Sequence, residues 1–285
     1  MDKVPLLNHL IDEPTTFTPE ALLAAVRAER GLAAEPTPAV CVLDFDGDLT
    51  DWLVSSGHAR QWKSWACFHT TMFSLEVDGI PYGVVPRTIG GPYAVLVAEQ
   101  LAASGAELIL GLTSAGRVLG SLPIPSLVIA ASAVRDEGTS YHYLPPSEMV
   151  EAPKGIPDFI EREFRCLGLP VSRGAVWTTD APYRETQKQL DRHSGSGVLA
   201  VEMQAASLFS FAARRDFPVA VVAHVTNAVD HNDDAFNKGR EFEPVRILEA
   251  MCRAGRDFLA SGSDKAVRIG RGDGQQVSIS SEVGG

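Results

Sequence analysis

The chain predicts an α/β sandwich with a mainly parallel central sheet, and three observations predict it. Short, continuous apolar runs recur along the body at the length of buried strands. Amphipathic helical stretches alternate with them, and no linker-like segment interrupts the series. The 285 residues, 45% hydrophobic, suffice for one large core or two modest ones, and with no internal linker we read one domain.

Each element follows in order. Residues 1–37 read as an extension ending in a helix over about 18–30, capped by Thr18 with Pro19 in its first turn. Ala39–Leu43 is an apolar strand that runs into Asp44-Phe45-Asp46-Gly47-Asp48. Thr71–Val77 and Ile80–Val85 form a strand pair turning at Asp78-Gly79. Gly90-Gly91-Pro92 opens a helix over about 92–104, and Leu108–Leu112 is another buried strand. Further strands are predicted at Leu127–Ala133, Gly174–Thr178 and Val219–Val225. Helices are predicted around 156–167 and 184–193, then Val198–Arg214 and Pro244–Ala260. The domain body is therefore 38–260. The Ser/Gly-rich stretch 261–285 reads as a disordered tail.

Charge and cysteine usage narrow the function classes. A net charge of −11 argues against nucleic acid or an anionic membrane as partner, yet leaves room for a small-molecule substrate. Cys41, Cys67, Cys166 and Cys252 lack C-x-x-C spacing, so neither a zinc site nor a disulfide framework is predicted and a reducing cytoplasm is expected. No signal-peptide layout and no membrane-length apolar run is present.

One motif points elsewhere and fails. Asp44-Phe45-Asp46-Gly47 looks like the D-x-D-G opening of haloacid-dehalogenase phosphatases, but Asp48 replaces the Thr that usually follows. The nearest later acidic pair, Asp233-Asp234, sits in a polar loop and not at the end of an apolar strand.

The most informative stretch is Val201-Glu202-Met203-Gln204-Ala205-Ala206. It sets an acid and an amide inside an apolar run read as helical, where an unpartnered charge is expensive to bury. One account is a helix start, with Glu202 favoured by the helix dipole and supporting the local fold. The other is a polar clamp for vicinal hydroxyls such as those of a ribose. The stretch resembles the V-E-M-E-A-A signature of the nucleoside phosphorylase and nucleosidase superfamily. Three further segments in the same order resemble it too: Gly47-Asp48-Leu49-Thr50-Asp51, Gly90-Gly91-Pro92, and Thr113-Ser114-Ala115-Gly116. The resemblance spans roughly 38–255. It implies a single-domain three-layer sandwich with a twisted, mixed sheet and helices on both faces.

It also implies an enzyme that cleaves the N-glycosidic bond of a nucleoside, with no metal or organic cofactor. The implied assembly is a homodimer or a hexamer of dimers. By the same resemblance the substrate pocket gathers Gly47, Thr113, Ser114, Gly116, Pro182, Tyr183, Arg184, Met203 and Gln204. His69 lies near where the family donates a cation across a dimer interface.

The departures from the pattern carry the expectation about chemistry. Where phosphorylases place an Arg to bind phosphate, this chain has Asp51, and a second such Arg falls on Gly111. Nucleosidases of the superfamily carry an acid near the first of these positions. Asp51 is therefore expected as general base for water, and Asn227 as hydrogen-bond donor to the leaving base in place of the family's Asp. Hydrolysis is the expected reaction. Phosphorolysis, with phosphate as co-substrate recruited by Arg87 or Arg117, is the alternative, and nucleoside binding without turnover is a third.

Overall fold

The computed structural model describes residues 4–228 and 243–269, with side chains of the last helix described as far as Gly262. In chain order the elements are α1 (Pro19–Arg30), β1 (Val40–Asp44), α2 (Asp48–Ser55), β2 (Ala59–Gln61), β3 (Phe73–Val77) and β4 (Ile80–Pro86). Next come α3 (Gly91–Ala103), β5 (Leu108–Arg117), β6 (Ser126–Asp136), β7 (Met149–Glu151), α4 (Ile156–Cys166) and β8 (Val171–Thr179). The series ends with α5 (Gln187–Gly195), β9 (Ala200–Glu202), α6 (Ala205–Arg215), β10 (Val219–Ala228) and α7 (Pro244–Ile269).

β1 is buried at every position, which requires partners on both edges and cover on both faces. It pairs in parallel with β4 on one side and β5 on the other. The strands run β10-β6-β8-β9-β5-β1-β4-β3-β2, with β7 on β6 and β10 returning to pair with β5. The return closes β5, β10, β6, β8 and β9 into a ring. Half of the pairings are antiparallel, so the sheet is mixed. Register breaks at Ala130/Ser132 in β6 and Val225/Asn227 in β10 supply the bends that closure needs.

Helices pack on the two sheet faces over separate cores. One contains Phe45, Phe209 and Phe211, the other Phe164, Leu248 and Met251. Gly91 lets α3 approach α6, since a Cβ there would meet the Ser207 hydroxyl oxygen at 2.1 Å. Thr18 caps α1 as predicted, accepting from the Ala21 N–H. Asp78 and Gly79 both take the left-handed conformation that a tight hairpin turn demands.

The predicted helix over Val198–Arg214 is corrected. Ala200–Glu202 is a strand between β5 and β8, and the helix begins only at Ala205. The physical reason is Glu202, whose carboxylate accepts the N–H groups of Gln204 and Ala205 and so marks the helix start. Four strand predictions fall short: β5 continues to Arg117, β6 to Asp136 and β10 to Ala228, and β8 already begins at Val171. α7 runs on past residue 260, and residues 270–285 lie outside the described residues, as does the Asp233-Asp234 pair.

Candidate active site

A cleft of about 250 Å³ opens where the C-terminal ends of β1, β5, β8, β9 and β10 meet. Crevices outside the carboxyl ends of strands are where α/β sheets usually bind ligands. β5 delivers Thr113, Ser114 and Gly116 as part of the strand itself. The turn after β8 delivers Pro182 and Tyr183, the step from β9 to α6 delivers Met203 and Gln204, and β10 delivers Asn227. The bulge beside Val225 aligns Asn227 with Gly116, so the two motifs meet in register.

Gln204 forms the floor. Its side chain is buried, and its Oε1 accepts the Met203 N–H at 3.1 Å with the Thr113 hydroxyl at 3.5 Å. Its Nε2 has no hydrogen-bond partner among the described residues. A buried amide donor left unmatched at a cleft floor suits a ligand hydroxyl or carbonyl.

Beneath it, Glu202 accepts from the Thr178 hydroxyl and from Gln204 N–H at 2.6 Å and Ala205 N–H at 2.8 Å. Thr178 in turn accepts the Ala206 N–H. Burial pushes the Glu202 carboxyl up to about 7 despite these bonds. Glu202 thus holds the backbone that carries Met203 and Gln204.

Besides Ala115, Val201 and Glu202, which belong to the motifs already named, the cleft is lined by Asp46, Ile89 and Glu185, none of them predicted. In the sequence Asp46 stands out only as part of the phosphatase-like motif. Glu185 directly follows the predicted Arg184, and burial raises its carboxyl above the ordinary range.

The remaining predicted residues stand elsewhere. Asp51 and His69 line a second cavity of about 620 Å³ with Trp62, Trp65, Arg87 and Tyr93, which shares no lining residue with the cleft. Arg87 is ion-paired there with Asp51. Arg184 faces a third cavity beside Arg135 and Asp136. Gly47 is the N-cap of α2 at a φ of 87°, and Arg87 folds over it so closely that a Cβ would lie 2.6 Å from the Arg87 Cγ.

Asp44 is spent on structure. It accepts Gly47 N–H, Thr50 N–H and the Thr50 hydroxyl at 3.2, 2.8 and 2.7 Å, closing the β1–α2 turn. The phosphatase-like signature is therefore a capping device. Gly111 is buried under Phe45, with a Cβ only 2.8 Å from that ring, so no arginine fits there. Among the described residues no group of His, Cys, Asp and Glu is arranged to hold a metal ion. No helix among them is long and apolar enough to cross a membrane.

The strand-end cleft, the order of the motifs and the mixed sheet define one class. Residues 40–254 match the family model of the phosphorylase superfamily, and the chain belongs to that family of enzymes. It is similar to a guanosine phosphorylase of Halorubrum lacusprofundi, 28% identical over 65% of this chain and 77% of that protein. It is also similar to the uridine phosphorylase of Escherichia coli, 24% identical over 54% of this chain and 67% of the other. A DeoD-type purine nucleoside phosphorylase of an Exiguobacterium species is 24% identical over 59% and 68% respectively.

Proposed function

We propose that the protein is a nucleoside phosphorylase, which transfers the pentosyl group of a nucleoside to phosphate. The observation that carries this reading over hydrolysis is the Arg87–Asp51 pair. Arg87 lies across the Gly47 turn and supplies a guanidinium in the region where phosphate needs a fixed cation. A carboxylate already paired with that guanidinium is poorly placed to serve as general base for water. The names of the relatives support the same choice.

In this reaction the bond between the anomeric carbon and the base nitrogen breaks, with its electron pair leaving on the base. A phosphate oxygen then bonds to the anomeric carbon. Gln204 Nε2 donates to a sugar hydroxyl and the Met203 side chain packs on the sugar. Asn227 donates a hydrogen bond to the departing base, which favours a base presenting a carbonyl. The developing oxocarbenium character is stabilised electrostatically by the cleft.

Base release from a panel of guanosine, inosine, uridine and adenosine, with and without phosphate, tests the proposal. Pentose 1-phosphate formed only with phosphate is the expected product. Free pentose without phosphate means hydrolysis, the second reading, which the Asp46 carboxylate in the cleft favours. Binding without base release means neither. The reading also carries a homodimer or hexamer of dimers, which light scattering measures, and a cytoplasmic setting suited to four free thiols.

A further inference from the structure

Strand β1 delivers one carboxylate, Asp46, straight to the cleft wall, two residues beyond the buried Asp44. Asp46 is exposed, and its Oδ2 accepts both the backbone N–H of Ser114, at 3.0 Å, and the Ser114 hydroxyl. Two donors converging on one anionic oxygen make a small oxyanion site. Here the chain's own carboxylate fills it. The other acid–donor set in the cleft differs in kind: Glu202 is buried and its donors belong to the helix start.

We propose that Asp46 is an intramolecular anion that occupies the Ser114 donors and sets, by competition, the affinity of the cleft for phosphate. The inference rests on the phosphorolysis reading. A phosphate oxygen that takes the Ser114 N–H and hydroxyl must displace Asp46, and the two anions then stand within a few ångström of each other. Lost donors and like-charge repulsion together weaken phosphate binding by about tenfold or more. Asp46 is thus a specificity-determining residue, one that keeps phosphate from saturating the site at low concentration. A purely structural role, tying the β1–α2 turn to β5, would alter stability and leave phosphate affinity alone.

Isothermal titration of inorganic phosphate into the full chain, without nucleoside, separates these. The proteins to compare are the unmodified chain, Asp46→Asn, Asp46→Ala, Ser114→Ala, the double variant Asp46→Ala/Ser114→Ala, and Glu185→Gln. Phosphate should bind about tenfold or more tightly in Asp46→Ala and by a smaller factor in Asp46→Asn, and the gain should vanish in the double variant. Glu185→Gln removes an equal charge from the same cleft and should give a clearly smaller gain. Asp46→Asn keeps an acceptor for Ser114, so the comparison survives if Asp46→Ala folds poorly. Unchanged phosphate affinity in the Asp46 variants overturns the proposal. So does an undiminished gain in the double variant, or an equal gain in Glu185→Gln, because charge alone would then be responsible. No turnover is read, so a protein that released free pentose would defeat the phosphorolysis reading and leave this result standing.

Discussion

The cleft and the cavity beside it hold similar numbers of charged groups and are built on opposite principles. In the cleft, polar groups come from strand ends and are held by backbone: Glu202 by two N–H groups and Thr178, Gln204 by the Met203 N–H. In the cavity, Asp51 comes from a two-turn helix and Arg87 from the segment after β4, and they hold each other. Their side chains are 60% and 58% exposed, so water screens the pair and its net worth is small. The difference teaches where each kind of chemistry sits. In the proposed reaction sugar and base would meet a preorganised wall, whereas the guanidinium proposed for phosphate is adjustable.

The largest expected effect is on stability and tests the rigid side of that contrast. Glu202→Ala leaves Gln204 N–H and Ala205 N–H without an acceptor in a buried setting, and should lower the unfolding free energy by about 2–5 kcal/mol. Asp51→Ala should cost less than about 1 kcal/mol. Chemical denaturation measures both, and equal losses would erase the distinction. Glu202 also gives a pH signature. The folded state raises its carboxyl from 4.5 to about 7, so it binds the proton more tightly than the unfolded chain does. Its contribution is then fully present below about pH 4.5 and is lost as pH rises through about 7. The stability difference between the unmodified protein and Glu202→Gln should shrink across that window, and a flat difference would refute the assignment.

Next in size is the sugar contact. Gln204→Ala should lower kcat/KM for nucleoside by about ten- to a hundredfold, the range for a lost buried hydrogen bond to substrate. The fold should persist by circular dichroism. A change of less than about threefold would mean that the unmatched Nε2 donor does not meet the sugar.

Arg87→Ala sharpens the comparison from the other side. It should raise the KM for phosphate by about tenfold while moving the KM for nucleoside little, since Arg87 is not among the residues that line the cleft. If the nucleoside KM rises as much as the phosphate KM, the division of labour between the regions is wrong.

The smallest effect is expected at the base. Asn227→Asp introduces a group that can carry a proton to a ring nitrogen, and should shift the adenosine-to-inosine ratio of kcat/KM several-fold toward adenosine. An unchanged ratio would place the base elsewhere.

Much of this architecture is legible in local pattern. Thr18 before Pro19, the Asp78-Gly79 turn and the five apolar residues ahead of Asp44 each determine their element within a few positions. The motifs at Thr113–Gly116, Met203–Gln204 and Asn227 met at one cleft because they close or continue strands that lie side by side. What tertiary structure alone decided depends on register between distant segments. Ala200–Glu202 reads as part of a helix from its apolar run, and becomes strand because β5 and β8 leave a slot that backbone hydrogen bonds must fill. Asp51 reads as a free base, and becomes the partner of an arginine 36 residues away. Asp46 reads as half of a phosphatase signature, and becomes the acceptor for a serine 68 residues on. Propensity and periodicity act over one turn or one strand, so the sequence determined the elements and their polar ends. The sheet's closure chose which of those ends face each other, because hydrogen bonding across strands is satisfied only in one register and no local pattern records it.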